Sequence, residues 1–449
     1  MHGGLAFKGF RECKPGSGLY ERGMSHHSLE QLAKDVRDGT LPAVSWVLPT
    51  MPLSEHPSTS SPVEGASFTA QVLDALTANP EVWSGTVFFQ TFDENDGLFD
   101  HLPPAAPPSY NPDGSLAGKS TLDLKGHYFD DHGDVYTSRD DTASGTTRPW
   151  GLGPRVPMYV VSPWSKGGWV SSETFDHTSV GQFLEKRFDI TIPAISPWHR
   201  SVCGDLTSCF DFAAREDAAF PTLPDVSNSP AIVRDHMKRP KILPPREADA
   251  LFQEAGVRRS RALPYILHVD AHLDAAARTI RLDLINEGSV GTVFHVYDKH
   301  HLDRIPRRYT VEAGKSLEDS WALDADGGIE LWVLGPNGFL RHFTGGSQGD
   351  AATDVRVRYD AKGRALRLTI GNRGGSDASV RIGEDAYRQN ADRSFSVAPG
   401  GEQRLGWPVA KSDDWYDLVA VAGGMRTRLA GRVERNQHGI SDPLMGSPG

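Results

Sequence analysis

Thr86-Val-Phe-Phe-Gln-Thr-Phe92, running directly into Asp93-Glu94-Asn95-Asp96-Gly97, is the stretch from which the fold and the chemistry of this chain can be read. Its first seven residues are mostly β-branched or aromatic, which predicts a central strand. Asn95-Asp96-Gly97 supplies the turn that ends it. Upstream, Ser28-Leu-Glu-Gln31 has the form of a capping box that opens a helix, and Gly39 closes it. Leu41–Leu48 (LPAVSWVL) reads as a short buried strand ending at Pro49, and Phe68, Val72, Ala75 and Leu76 recur at helical spacing. Downstream come a strand at Met158–Val161 and a helix at Thr178–Phe188. This alternation predicts an α/β layer with a largely parallel sheet. Ligands of such sheets sit at the carboxyl ends of strands, so the residues just after each strand are the ones to inspect. Between about Pro103 and Pro157 the chain is polar and rich in Gly and Pro, longer than an ordinary connection, and reads as a functional or variable insertion.

The remaining sequence sets bounds on this reading. The chain has 449 residues, which suggests roughly three domains. With 38% hydrophobic residues and 46 glycines it has the composition of a globular protein, and three cysteines exclude a disulfide scaffold. Net charge is −11, from 47 Lys and Arg against 58 Asp and Glu, and no basic run occurs, so nucleic-acid binding is not expected. No apolar run is long enough to span a membrane. MHGGLAFKGF has no basic segment followed by an apolar one, so no signal peptide is visible.

From about Phe220 to Pro264 turn residues and charges dominate, as in a linker or lid. Beyond it the sequence is duplicated. An offset of 86 residues pairs Leu282-Asp-Leu-Ile-Asn286 with Leu368-Thr-Ile-Gly-Asn372, and also Gly288 with Gly374, Val311 with Val397, Gly314 with Gly400, Trp321 with Trp407 and Gly345 with Gly431. One offset serving six separated landmarks marks an internal repeat. About seven short strands per copy predict a β-sandwich in each, with the two tryptophans as core anchors.

Asp93 and Glu94 follow directly on the Thr86–Phe92 strand. Two hard oxygen donors at a strand end suit a divalent cation holding a phosphate, although solvated turn acids would look the same. His56, in Ser54-Glu-His-Pro57, could protonate a leaving oxygen or bind metal. Asp176-His177-Thr178-Ser179 precedes a helix, and its polar residues could simply cap it, with His177 packed alongside. Asp100-His101 is ambiguous in the same way. Cys203 and Cys209 could pair in an exported protein or remain free thiols.

These residues, in this order, resemble a known family. Thr91-Phe-Asp-Glu94, Phe99-Asp-His101 and Pro103-Pro104 look like the signature of bacterial phosphocholine-preferring phospholipases C, part of the phosphoesterase family that includes acid phosphatases. Trp46-Val-Leu-Pro49, Ser54-Glu-His-Pro57, Arg155-Val-Pro157, Ser162-Pro163, Phe175-Asp-His-Thr-Ser179 and Gly204-Asp-Leu-Thr207 fall in that family's order, and the duplicated units resemble its paired β domains. The resemblance implies an alkaline-phosphatase-like α/β domain, present in part over residues 1–215. A linker at 216–262, sandwich repeats at 263–348 and 349–436, and a tail at 437–449 would follow. It implies hydrolysis of phosphatidylcholine, and of sphingomyelin, through a phosphoryl-enzyme intermediate on a hydroxyl nucleophile. Asp93 and Glu94 would be ligands of a divalent metal ion. His56 would line the phosphate site and protonate the leaving group, and His177 would belong to a recurring motif of the catalytic region. Partners would be choline phospholipids at a membrane surface, and the family is secreted or periplasmic.

The family's opening Glu-Asn-Arg-Ser-Phe-Asp-His-type motif, with two more metal ligands, and its nucleophile have no counterpart among the 449 residues. Both are expected upstream of Met1. On this reading the chain is the C-terminal portion of the enzyme, from a truncated frame, a fragment or a split protein, with an N-terminal segment of the same enzyme as a partner. The alternative is a catalytically inactive product whose β modules bind a membrane or surface. No basic amphipathic helix is present, so membrane contact would come from loops or from the β modules.

Overall fold

In the computed structural model of the chain, the residues described are 4, 7–95, 102–130, 147–213, 219–240, 242–243, 246, 255–347 and 353–445. Asp100-His101 lies outside them. The chain divides into two compact units. The first comprises residues 1–97, 156–166 and 212–249, and the second comprises 98–155, 167–211 and 250–449.

The first unit is helical around a small two-stranded sheet. Leu29–Arg37 is a helix whose N-cap hydroxyl, Ser28, accepts the Gln31 amide, and Gly39 follows at φ +66°. The longest helix, Pro62–Thr77, begins before its apolar pattern does. Ser61 and Glu64 form the capping box, with the Ser61 amide donating to Glu64 Oε2 at 2.8 Å, and Pro62 occupies the first turn. Its inner face packs Val72 and Leu76 against Val36 and Trp83, with Phe68, Phe88, Val161 and Phe220 at the margin. Burying side chains of this size contributes about 1.5–3 kcal/mol each. Phe220 meets Trp83 edge-on at 5.3 Å, and the Ser229–His236 helix contacts Pro62–Thr77, so part of the expected linker belongs to this core.

Two expectations are corrected here. The strand at Phe88–Thr91 pairs with Met158–Val161 antiparallel, Phe88 opposite Val161 and Thr91 opposite Met158. A parallel pair needs a helical crossover, and the described residues between these strands contain no helix. Leu41–Leu48 forms no strand. Pro42 and Pro49 remove donors at both ends of it, no neighbouring strand bonds to it among the described residues, and Trp46 is 73% exposed.

The second unit carries the duplication. Each copy contributes seven strands, from Leu267–Asp274 to Leu340–Gly346 and from Thr353–Asp360 to Met425–Arg432. In each, a three-stranded sheet faces part of a ten-stranded sheet across an apolar core. Trp321 and Trp407 are buried in those cores, as expected. The landmarks keep the same work in both copies. Asn286 donates to the carbonyls of Val290 and Val311 and accepts from the Gly288 amide, while Asn372 donates to Ser376 and Val397 and accepts from Gly374. Gly314 and Gly400 turn at φ +69° and +70°, where a Cβ would be strained.

The copies share one sheet, because Leu340–Gly346 pairs antiparallel with Met425–Arg432. Arg341 lies buried at this seam, donating to the Ala430 carbonyl and the Tyr416 hydroxyl, each at 3.0 Å. Arg358 holds Asp270 of the first copy with two bonds of 3.0 and 2.6 Å. The long polar insertion also joins this sheet, since Leu116–Ser120 pairs parallel to Arg307–Val311 and Ser109–Tyr110 pairs with Leu116–Ser120.

Candidate active site

Asp93 and Glu94 stand where the sequence places them, immediately beyond the Phe88–Thr91 strand. That strand is half-buried and has one bonded neighbour, so it is an edge rather than a central strand among the described residues. Phe88 turns into the unit's core, Gln90 donates to Thr69 Oγ1 of the long helix at 3.0 Å, and chain pairing ends at Thr91. Both carboxylates are then exposed, and neither has an ion-pair partner among the described residues. Two bare hard-oxygen donors fit a divalent cation in chemistry. They do not fit in number, because such an ion needs four or more donors and the described residues hold no group of three or more His, Cys, Asp or Glu that could grip one.

His56 is held by a turn built from its own neighbours. The 3₁₀ turn Met51–Leu53 leads into Glu55, which adopts φ +64°, and the carbonyl of His56 accepts the amides of Thr59 and Ser60. Glu55 fits because Gly65 in the long helix has no side chain. A Cβ there would lie 1.9 Å from Glu55 Oε1. The ring's Nδ1 accepts the Ser58 amide at 3.4 Å and lies 2.9 Å from the Ser58 hydroxyl. An amide can only donate, so Nδ1 is the bare nitrogen and the neutral ring carries its proton on Nε2. The exposed imidazole thus presents an N–H to solvent, and to protonate a leaving oxygen it must first take up a second proton on Nδ1 and give up the Ser58 amide. No hydrogen bond or ion pair joins His56 to Asp93 or Glu94 among the described residues.

His177 belongs to the second unit, as the first residue of the His177–Phe188 helix. The helix cap that these polar residues could form is present, as a capping box. Asp176 accepts the Thr178 amide at 3.0 Å, and its own amide donates to Ser179 Oγ at 3.1 Å. His177 itself is exposed.

The imidazole that Asp176 faces is a different one, His199, whose Nε2 is 3.6 Å from Asp176 Oδ2. His199 Nδ1 in turn lies 2.8 Å from Ser196 Oγ. These are the residue types of a hydrolytic triad, but the geometry is that of helix caps. Ser196 accepts the His199 amide at 3.2 Å as N-cap of Pro197–Val202, and 3.6 Å is too long for a hydrogen bond. No spacing in the sequence links Asp176 to His199.

Near this pair lies a cavity of about 440 Å³ lined by Glu173, Cys203, Asp205, Ser208 and Phe210. Burial pushes the Glu173 carboxyl up, against the hydrogen bond from Ser208. Cys203 and Cys209 are free thiols, both buried, and burial raises the Cys209 thiol to about 11. Such thiols are poor nucleophiles.

Residues 7–191 match the phosphoesterase family, and residues 259–346 and 353–432 match the C-terminal domain of bacterial phospholipases C. The chain is 45% identical to a non-hemolytic phospholipase C of Pseudomonas aeruginosa over 98% of its own length and 64% of the relative's. It is 38% identical to a hemolytic phospholipase C of the same organism, over 98% of the chain and 62% of the relative. Phospholipase C B of Mycobacterium tuberculosis is 37% identical over 46% of the chain and 37% of that protein. The chain therefore spans just under two thirds of the length of the Pseudomonas relatives.

Proposed function

The chain belongs to the phosphoesterase family in its bacterial phospholipase C form, and from that premise we propose that it serves a phosphoric diester hydrolase releasing phosphocholine from phosphatidylcholine and sphingomyelin. The observation that carries the reading is one chain holding a phosphoesterase region followed by the duplicated phospholipase C domain, with Asp93 and Glu94 presented at a strand end in the first.

In this reading Asp93 and Glu94 would supply two oxygen ligands of a divalent cation completed by further donors, and the chemistry such an ion would supply is charge neutralisation at the phosphodiester. His56, once protonated on both ring nitrogens, would give its Nε2 proton to the diacylglycerol oxygen as the P–O bond to that oxygen breaks and a hydroxyl nucleophile bonds to phosphorus. His177 is a second imidazole of the catalytic region. No residue of this chain is assigned as the nucleophile. The enzyme acts outside the cytoplasm, in a secreted or periplasmic setting, on lipid at a membrane surface.

The test is phosphocholine release from phosphatidylcholine, by the chain alone and by the chain joined to the part of the Pseudomonas relative that it does not cover. Release that disappears on Asp93→Ala supports the reading, and release indifferent to Asp93 refutes it. A second reading has one observation in its favour, the acid pair standing without further ligands among the described residues. On it the chain is inactive and its β repeats bind membranes. Turnover by the chain alone would end that reading.

A further inference from the structure

Arg308 is a cation that the first β repeat partly buries without a counter-charge. It lies in the Arg307–Val311 strand opposite His295 of Thr292–Asp298, so the two side chains share one face of the ten-stranded sheet. Arg307, its neighbour, points to the other face and bonds Asp319 at 3.0 Å. On the far edge the Leu116–Ser120 strand of the polar insertion runs alongside, with Gly118 opposite Arg308. That approach requires glycine. Gly118 adopts φ +122°, and a Cβ there would lie 1.9 Å from the Arg308 carbonyl oxygen. The insertion thereby brings Ser109 and Tyr128 to the arginine, with the Tyr110 ring 5.0 Å from that of Tyr128.

The surroundings of the guanidinium are neutral. Nη1 donates to Ser109 Oγ at 2.9 Å, Nε is buried without an acceptor, and no carboxylate pairs with Arg308 among the described residues. Burial pushes Arg308 below the ordinary arginine value, and the titratable groups acting against this are the phenols of Tyr297 and Tyr128. Burial raises both phenols, Tyr128 to about 12, so both are uncharged at pH 7. His295 is buried and neutral, with Nδ1 unpartnered. Tyr128 donates to the Pro108 carbonyl at 2.8 Å, whereas the hydroxyls of Tyr110 and Tyr297 hold no partner among the described residues. A desolvated charge and donors of this kind are normally met by an acceptor. The second repeat is built differently. The 86-residue offset puts Ser394 at the place of Arg308, opposite Arg381 in the same register, and Gly383 at the place of Tyr297. Arg381 is neutralised there by Asp392 at 2.8 Å.

We propose that Arg308, with the hydroxyls of Ser109, Tyr110 and Tyr297, binds a phosphate group, either free phosphate or the end of a phosphate monoester. A guanidinium fork matches two phosphate oxygens, and hydroxyls can donate to the others, which a carboxylate does not offer. Arg308 and both tyrosines keep part of their surface in solvent, so the ion enters from outside. The site belongs to the first β repeat and does not rest on the proposed catalysis.

The test is calorimetric titration of the full chain, with a metal chelator present, using inorganic phosphate in one arm and phosphocholine in another at matched ionic strength. Saturable binding of one ion per chain is expected. Arg308→Gln should weaken it roughly tenfold or more, the loss of a charge-assisted contact. Tyr297→Phe, which keeps the ring, should weaken it less but measurably, and Arg381→Ser in the second repeat should bind as the parent does. Binding in the phosphate arm identifies free phosphate as sufficient, and binding in the phosphocholine arm alone identifies a monoester; either result upholds the site. No binding in either arm, parent-like binding by both Arg308→Gln and Tyr297→Phe, or equally tight binding of acetate would overturn it.

Discussion

At the scale of single residues, the acid pair and the two histidines differ in what surrounds them, and that separates their expected phenotypes. Asp93 and Glu94 are exposed and make no ion pair among the described residues, so replacing either with Ala should leave stability within about 0.5 kcal/mol. A melting curve unchanged beside lost turnover would show a role in chemistry alone. His56→Gln should lower turnover by about 10²–10⁴-fold, the range for losing a general acid, and Ser58→Ala should lower it less by freeing the ring. Equal rates in His56→Gln and the parent would remove His56 from the mechanism. Asp176→Ala removes a capping box and should cost about 1 kcal/mol, whereas His177→Ala should cost little, as its side chain is exposed on the first turn. Thermal denaturation of the pair separates capping from catalysis. The acids after Phe92 were legible in sequence because a strand signal and a turn signal meet there. His199 beside Asp176 was not, because 22 residues, a helix and a turn among them, separate the two and no local spacing records their meeting.

At the scale of elements, local signals were read well and partners were not. The caps at Ser28 and Asp176 and the paired asparagines of the repeats bond nearby backbone, so short-range sequence carries them. Leu41–Leu48 has the apolar run of a strand, but a strand exists only where another edge bonds to it, and that is not written in its own residues. The direction of the Phe88–Thr91 pairing was lost for the same reason. The duplication makes a sharper prediction. Asn286→Ala and Asn372→Ala each strip two donors from buried carbonyls and one acceptor from a glycine amide, so each should destabilise its repeat by about 1–3 kcal/mol. Denaturant unfolding should give similar losses for both. A large loss in one and none in the other would break the equivalence of the copies.

At the scale of the whole molecule, the two repeats share a sheet, so their unfolding should be one cooperative event rather than two. The first repeat also contains an acid-labile element. His268 and His295 are buried, and burial lowers both to about 3, with Arg358 and Arg341 beside the first and Arg308 beside the second adding to the effect. Each takes up a proton near pH 6.5 when unfolded but not when folded. Their stabilisation is therefore full above pH 6.5 and is lost as pH falls from there toward 3, by about 2 kcal/mol per histidine at pH 5. Melting temperature should drop across this window, and His295→Gln should flatten the drop. A melting temperature flat from pH 7 to 4 would contradict the burial of these rings. Asp93 is the residue on which phosphodiester hydrolysis by this chain depends most directly in the proposed function. The most direct measurement is phosphocholine release from phosphatidylcholine by the chain joined to the uncovered part of its Pseudomonas relative, with and without Asp93→Ala. Release abolished by the substitution, with the melting temperature unchanged, is the predicted result. Release undiminished in the variant, or absent from the joined parent protein, would contradict the assignment of this chain to phosphodiester hydrolysis.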